Sequence, residues 1–304
     1  MIGATVCDTL DGKEETMSVL NSVLADVRAE LAHREQRVSL DEMKRRALKA
    51  PSPRDALGAL RGPGAVTIMA EIKRRNLRDG YIAPIPDAGA LARQYVDGGA
   101  TMVACVTENR HFDGSLADLQ AVRRAIDLPI LRKDYIISPY QIHESRAYGA
   151  DMVLLFAALL DQPHLRGFIE RIESLGMSAL VEVDSRVEAV RALDAGAKAI
   201  GVNARNLHNL KIDRSNFDEI VDVIPSDVIA VAQSGVRDPR DVFVYARAGA
   251  DSVLVGKSLV SASDPRALVA EMVSAAQHPA LLADRKKRIQ QGIHERQALL
   301  YQAH

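Results

Sequence analysis

Eight short apolar runs punctuate the chain: TIMAEI (67–72), MVACVT (102–107), PILRKD (129–134), MVLLFA (152–157), SALVEV (178–183), AIGVNA (199–204), VIAVAQ (228–233) and SVLVG (252–256). Their starts fall 21 to 35 residues apart, and the gaps hold segments of helical periodicity such as LADLQAVRRAID (116–127) and RVEAVRALDAGA (186–197). Runs that are apolar on both faces suit strands buried in a parallel sheet, and parallel neighbours need crossover helices. A Gly-Ala step precedes a strand four times (GGATMV, YGADMV, AGAKAI, AGADSV), which marks a helix stopped by glycine. Eight strand–helix units in one tract predict an α/β protein with a single closed (β/α)8 TIM barrel, not an open doubly wound sheet. No GxGxxG follows the first run, so a dinucleotide fold has no support.

Ahead of the barrel, Met17–Ala50 reads as one or two amphipathic helices, the second behind a Ser39 cap. The expected organisation is a loose leader (1–16), an N-terminal helical extension (17–50), the barrel (51–278) and a C-terminal helical tail of mixed charge (279–304).

Charge narrows the function. Among 304 residues, 39 Lys and Arg face 40 Asp and Glu, so there is no basic excess for a nucleic-acid groove. The longest apolar run, Met152–Leu160, is far shorter than the roughly 18 residues of a membrane span. The polar, acidic start has no basic n-region or apolar h-region, so no signal peptide is expected. Cys7 and Cys105 lie far apart without zinc-ligand spacing, which suits a reducing cytoplasm. The eight histidines are scattered along the chain, so no metal site is expected.

In such a barrel, chemistry sits where the strands end. The polar residues there are Glu71 and Lys73, Glu108, Lys133 and Asp134, Glu182, Asn203 and Arg205, Gln233 and Ser234, then Gly256 and Lys257. Paired rim ions explain one or two of these; the full set converging on one rim marks an active site. QSG (233–235) and VGKS (255–258) are glycine turns after the last two strands, where backbone N–H groups and a helix start can cradle a phosphate. The substrate is therefore expected to be a phosphorylated small molecule, handled by Lys and Glu acid–base chemistry. A lysine beside other cations should lose its proton more readily, and a glutamate in an apolar pocket should hold its proton longer. A Schiff-base role for Lys133 or Lys73 stands as a rival.

The blocks AEIK (70–73), VTENRHFDGSLADL (106–119), LRKDYI (131–136), YQIHESRAYGAD (140–151), LVEV (180–183), IGVNARNL (200–207), SGVRDPRDV (234–242) and GADSVLVGKSLV (249–260) together resemble indole-3-glycerol-phosphate synthase. The likeness runs in register from about residue 17 to about 276. It implies a carboxy-lyase of tryptophan biosynthesis that closes, decarboxylates and dehydrates 1-(2-carboxyphenylamino)-1-deoxyribulose 5-phosphate without cofactor or metal. It further implies Lys133 as the general acid at the ketose carbonyl and Glu182 in proton transfer during dehydration. By the same resemblance Lys73 contacts carboxylate or phosphate and serves as a second acid, while Glu71 and Asn203 orient these groups. Ser234, Gly235, Gly256 and Lys257 correspond to the phosphate loops, and Phe112, Tyr135 and Leu207 to the aryl pocket; Arg205, Gln233 and Arg78 are also expected against the substrate. No nucleic acid or membrane is expected as partner, and the chain should act as a monomer or weak homodimer.

Two stretches depart from that pattern. The family has Ser-Pro-Ser after its first-strand lysine, where this chain, reading Lys73-Arg74-Arg75-Asn76-Leu77-Arg78-Asp79-Gly80, has Asn76-Leu77-Arg78. The family has Glu-Ser-Gly where this chain has Gln233-Ser234-Gly235. Losing one carboxylate and gaining Arg78 shifts the rim toward positive charge, offset if Asp79 faces inward. Leucine in place of proline at 77 releases a fixed φ and predicts a looser loop. Three functions fit: the family reaction itself, a specialised paralogue acting on a modified arylamino-deoxyribulose phosphate in secondary metabolism, and a sugar-phosphate-binding barrel without turnover. Intact Lys73, Lys133, Glu182 and Asn203 speak against the third.

Overall fold

The computed structural model of the chain describes residues 8–62, 66–204 and 213–281, with side chains from residue 21 onward. The eight apolar runs form strands β1 (Thr67–Ile72), β2 (Met102–Val106), β3 (Ile130–Lys133), β4 (Met152–Phe156), β5 (Ser178–Val183), β6 (Ala199–Asn203), β7 (Ile229–Gln233) and β8 (Ser252–Val255). Each pairs in parallel with its neighbours along the chain, and β8 closes onto β1 in a register from Thr67↔Ser252 to Ala70↔Val255. Burial on both faces explains the near-continuous apolar character of these strands.

Strand alternation sorts the side chains into two cores. Met69, Met102, Leu131, Met152, Leu154, Leu180, Val231 and Leu254 fill the barrel interior, with Leu60 among them. Val103, Cys105, Val153, Leu155, Val181, Ile200, Val202 and Val253 pack outward in the larger core beneath the helices. Two residues beyond the interior leucines and valines come Lys133, Glu182 and Gln233, so the same pleat that buries the core aims these polar groups inward at the C-terminal rim.

Among the described residues, three helices precede the barrel: α1 (Asp8–Arg37), α2 (Leu40–Lys49) and α3 (Ala56–Arg61). Ser39 caps α2, its side-chain oxygen accepting from the Glu42 N–H at 3.3 Å. Helix α1 begins at Asp8, so residues 8–16, expected as loose leader, are helical; the stretch has no proline and several good helix formers. Residues 1–7 and most of the expected C-terminal tail, 282–304, lie outside the described residues.

The crossovers are α4 (Ala88–Asp97), α5 (Leu116–Ala125), α6 (Pro139–Ala147), α7 (Gln162–Ser174), α8 (Arg186–Asp194), α9 (Ser215–Val221) and α10 (Pro239–Ala248). Short α11 (Lys257–Val260) and then α12 (Pro265–Ala276) follow β8. A Ser or Asp side chain caps most of these N-termini, among them Ser115, Ser138, Ser185, Asp238 and Asp264. Among the described residues, no helix is long and apolar enough to cross a membrane.

One buried polar network stiffens the strand that carries Lys133. Arg132 is fully buried and points outward from β3, where it meets Asp134 at 2.8 Å and Glu144 of α6 at 2.9 Å. Its remaining donors reach Thr107 Oγ1, Ser145 Oγ and the Gln141 carbonyl at 3.0–3.2 Å. A buried guanidinium satisfied in this way holds β3, β2 and α6 in one arrangement.

Candidate active site

Glu71 ends β1 almost wholly buried, with Lys133 Nζ 3.0 Å from its Oε1 and the Lys73 ammonium on its Oε2. This close approach requires glycine at 256, because a Cβ there would overlap Glu71 Oε2. Lys133 also donates to Gln233 Oε1 at 3.3 Å. Gln233 is buried behind that contact, its Nε2 without a hydrogen-bond partner among the described residues and close over Gly201, where a Cβ would overlap the amide nitrogen. The chamber is lined by Lys133, Glu182, Asn203, Ser234 and Gly235 but not by Gln233. Gln233 thus supports Lys133 from below, with its amide lying close over Gly201 of β6.

Across the rim, Asn203 Nδ2 donates to Glu182 Oε1 at 2.7 Å. Burial pushes the Glu182 carboxyl up, and the opposing pull of Lys133 and Asn203 does not cancel it. Glu71 moves the other way. Burial favours its neutral form, but Lys133 and Lys73 outweigh burial and hold its pKa at about 2. The shift at Lys133 is opposite to the one expected from neighbouring cations. Burial alone would lower its pKa, yet the carboxylates of Glu71 and Glu182 raise it. The site therefore holds an ionised Glu71, a strongly protonated Lys133 and a Glu182 that keeps its proton to higher pH. A lysine kept protonated suits an acid, not a Schiff-base nucleophile.

One side of the chamber is apolar. Tyr135 stacks on Phe156 with centroids 5.1 Å apart and tilts against Phe112 at 6.3 Å. Leu77, Val23 and Val27 join the same cluster, so α1 completes this wall. Asp26 of α1 pairs with Arg110 and lies 3.1 Å from His111 Nε2, tying the helix to the β2–α5 loop. Sequence reasoning missed this contribution; the valines at 23 and 27 share a helical face, but nothing in their spacing names the pocket they cover.

On the opposite side of the barrel, Ser234 and Gly235 both have positive φ, 69° and 77°. A serine in the left-handed region is strained, and such strain collects at functional loops. Tyr245 donates to the Ser234 carbonyl at 3.1 Å and Arg214 to the Gly235 carbonyl at 3.0 Å, which fixes the turn. Ser234, Gly235, Gly256 and Lys257 all line the chamber.

Between the two sides runs the β1–α4 loop. Its residues Arg75–Asn76 and Gly80–Tyr81 form a small antiparallel pair. Asn76 Oδ1 accepts from the N–H groups of Arg78 and Asp79 at 3.0 and 2.7 Å, and Asp79 Oδ2 meets Lys257 Nζ at 2.8 Å. The looseness expected from losing proline is therefore offset by an Asx turn and an ion pair. Arg78 lines the chamber, and Asp79 supplies the offsetting charge at its edge.

Two rim carboxylates have local duties. Glu108 accepts from the N–H groups of Arg110, His111 and Phe112, and Asp134 accepts from Thr107 Oγ1, Arg132 and the Tyr135 N–H. Both border the chamber, and both shape its loops. Arg205 and Leu207 lie outside the described residues.

The indole-3-glycerol phosphate synthase family profile matches residues 20–272. Curated relatives include an indole-3-glycerol phosphate synthase of Streptomyces griseus, 56% identical over 87% of this chain and 98% of its own. Another, from a Parafrankia species, is 55% identical over 87% of this chain and 98% of its own. Among solved structures, 3-hexulose-6-phosphate synthase from Salmonella typhimurium superposes with a TM-score of 0.58 at 16% identity, over 69% of this chain and 98% of that one, a likeness of fold. With the profile spanning the barrel and relatives above half identity along nearly their whole length, the chain belongs to the indole-3-glycerol phosphate synthase family.

Proposed function

We propose that this chain carries out the reaction of its family, with Lys133 as general acid and Glu182 as the second proton-transfer group. The substrate class is a sugar phosphate, and the specific molecule we assign is 1-(2-carboxyphenylamino)-1-deoxyribulose 5-phosphate. The supporting observation is Glu71 holding two ammonium groups beside a buried, proton-retaining Glu182, between an aromatic wall and a phosphate loop.

The chemistry follows from these positions. The ring carbon bearing the carboxylate attacks the ketose carbonyl carbon, and Lys133 delivers its proton to the carbonyl oxygen as the bond forms. Loss of CO2 returns the bonding pair to the ring and restores its aromaticity. The new hydroxyl then leaves as water, aided by proton transfer from Glu182, while the adjacent carbon loses a proton. Glu71 remains anionic throughout and keeps Lys133 and Lys73 charged and placed, so little reorganisation is needed at the moment of reaction. Asn203 orients Glu182. Ser234, Gly235, Gly256 and Lys257 receive the phosphate, and Phe112 and Tyr135 receive the ring, whose burial adds apolar and stacking energy.

A free sugar-phosphate substrate and the free thiol of Cys105 fit a cytoplasmic enzyme. The test is incubation of the purified chain with this substrate, read by indole fluorescence, with Lys133→Ala as control. Turnover of about 1 per second or faster, abolished in the variant, is expected. Binding without turnover in the wild type would redirect the search to a related arylamino sugar phosphate.

A further inference from the structure

We propose that Arg78 is a specificity-determining residue that pairs with the carboxylate on the aryl ring of the substrate. This rests on the reaction assigned above and names the partner of one anionic group in it.

The cations of the chamber are unequally engaged. Lys73 and Lys133 share Glu71, and Lys257 Nζ sits 2.8 Å from Asp79. Arg78 has only a contact of 3.9 Å from its Nε to Asp79, well beyond the roughly 2.7–2.9 Å of a charge-assisted hydrogen bond. Among the described residues its terminal nitrogens make no hydrogen bond, and the side chain is half exposed. One planar fork of donors therefore borders the chamber uncommitted.

Its position selects the ligand. Leu77, the preceding residue, packs with Phe112, Tyr135 and Phe156 in the wall that receives the ring. The Asx turn on Asn76 fixes the backbone immediately after it. Arg78 thus leaves the chain next to the aryl wall, with the Asp79–Lys257 pair on its other flank. The phosphate is served from the β7 and β8 loops by backbone groups and Lys257, which leaves the aryl carboxylate as the substrate's second anion. A guanidinium matches a carboxylate with two parallel hydrogen bonds, which an ammonium cannot do.

The carboxylate is present in the bound substrate and still present as the carbon–carbon bond forms, and it leaves only afterwards as neutral CO2. The pairing is then equal in ground and transition states and raises affinity without raising kcat. Loss of Arg78 should increase KM about tenfold or more and leave kcat within about threefold.

The decisive experiment uses two analogues whose ketone is reduced to an alcohol, so that neither reacts. One is 1-(2-carboxyphenylamino)-1-deoxyribitol 5-phosphate, and the other is the same molecule without the carboxylate. Calorimetric titration of the full chain should show the carboxylated analogue binding at least about tenfold tighter. In Arg78→Met that preference should fall to near unity while affinity for the decarboxylated analogue stays within about twofold, and Arg78→Lys should retain part of the preference. Unchanged preference in Arg78→Met, or equal weakening of both analogues, overturns the inference alone. A wild type that binds neither analogue and does not turn over the keto substrate overturns the assigned reaction, and this pairing with it.

Discussion

Glu71 Oε1 lies 3.0 Å from Lys133 Nζ, and this carboxylate does more than Glu182 to hold the proton on the proposed acid. It is buried, ionised and shared with Lys73, so its charge is felt at low effective dielectric. Glu71→Gln keeps the shape and removes the charge. The pKa of Lys133 should then fall, because burial is opposed by Glu182 alone. The expected outcome is a loss in kcat of about a hundredfold, with the alkaline limb of the pH–rate profile moved to lower pH. An unmoved limb in stopped-flow fluorescence across pH 7–10 would remove Glu71 from this role.

Gln233→Glu tests the departure on β7. A carboxylate in place of the amide would sit about where Oε1 now lies, 3.3 Å from Lys133 Nζ. A third anion near that lysine holds its proton more strongly, so the alkaline limb should move to higher pH. A stronger grip on the proton also weakens the acid, and the net change in kcat should stay within about tenfold. A gain of a hundredfold or more on the carboxyphenylamino substrate would mean that the protein's own substrate differs from it.

Gly201 and Gln233 form a coupled pair beneath the site. A methyl group at 201 would overlap the Gln233 amide, so Gly201→Ala must displace that side chain or the strand beside it. Overpacking of this kind costs about 1–3 kcal/mol. Gln233→Ala alone removes the support of Lys133 and leaves a gap. Together the two changes should relieve each other, and the double variant should unfold in urea at a concentration closer to wild type than the sum of the single effects implies. Additive losses would show that the two positions do not meet.

The barrel was legible because its signal is repeated: eight runs, apolar on both faces, allow few other architectures. The inward set Glu71, Lys133, Glu182 and Asn203 was legible because strand ends have a fixed direction. The direction of the Lys133 shift was not, since it depends on which carboxylates approach within a few ångströms. The roles of Arg132 and Asp134 were hidden for a related reason. LRKD reads as a polar strand end, and only the pleat separates Lys133, facing the chamber, from Arg132, buried beneath α6. The α1 wall at Val23 and Val27 needed the packing of a helix distant in sequence, which no local period encodes.

His143 offers a test away from the chemistry. It is buried on α6, which packs against α2 and α7, and neither ring nitrogen has a hydrogen-bond partner among the described residues. Burial lowers its pKa, and Arg171 and Lys44 lower it further, so the folded protein holds a neutral ring. In the unfolded chain the imidazole takes up a proton near its ordinary value of about 6.5. The unfolded state then binds more protons in the window just below that value. This group's contribution to stability is complete above about pH 6.5 and is lost as the pH falls toward the lower folded value. The thermal unfolding midpoint should drop between pH 7.5 and pH 5.5, and His143→Leu should show a smaller drop. At pH 7.5 the leucine variant should be at least as stable as wild type, because it replaces an unpaired buried polar ring with an apolar side chain. Equal drops in both proteins would assign the acid sensitivity to other groups.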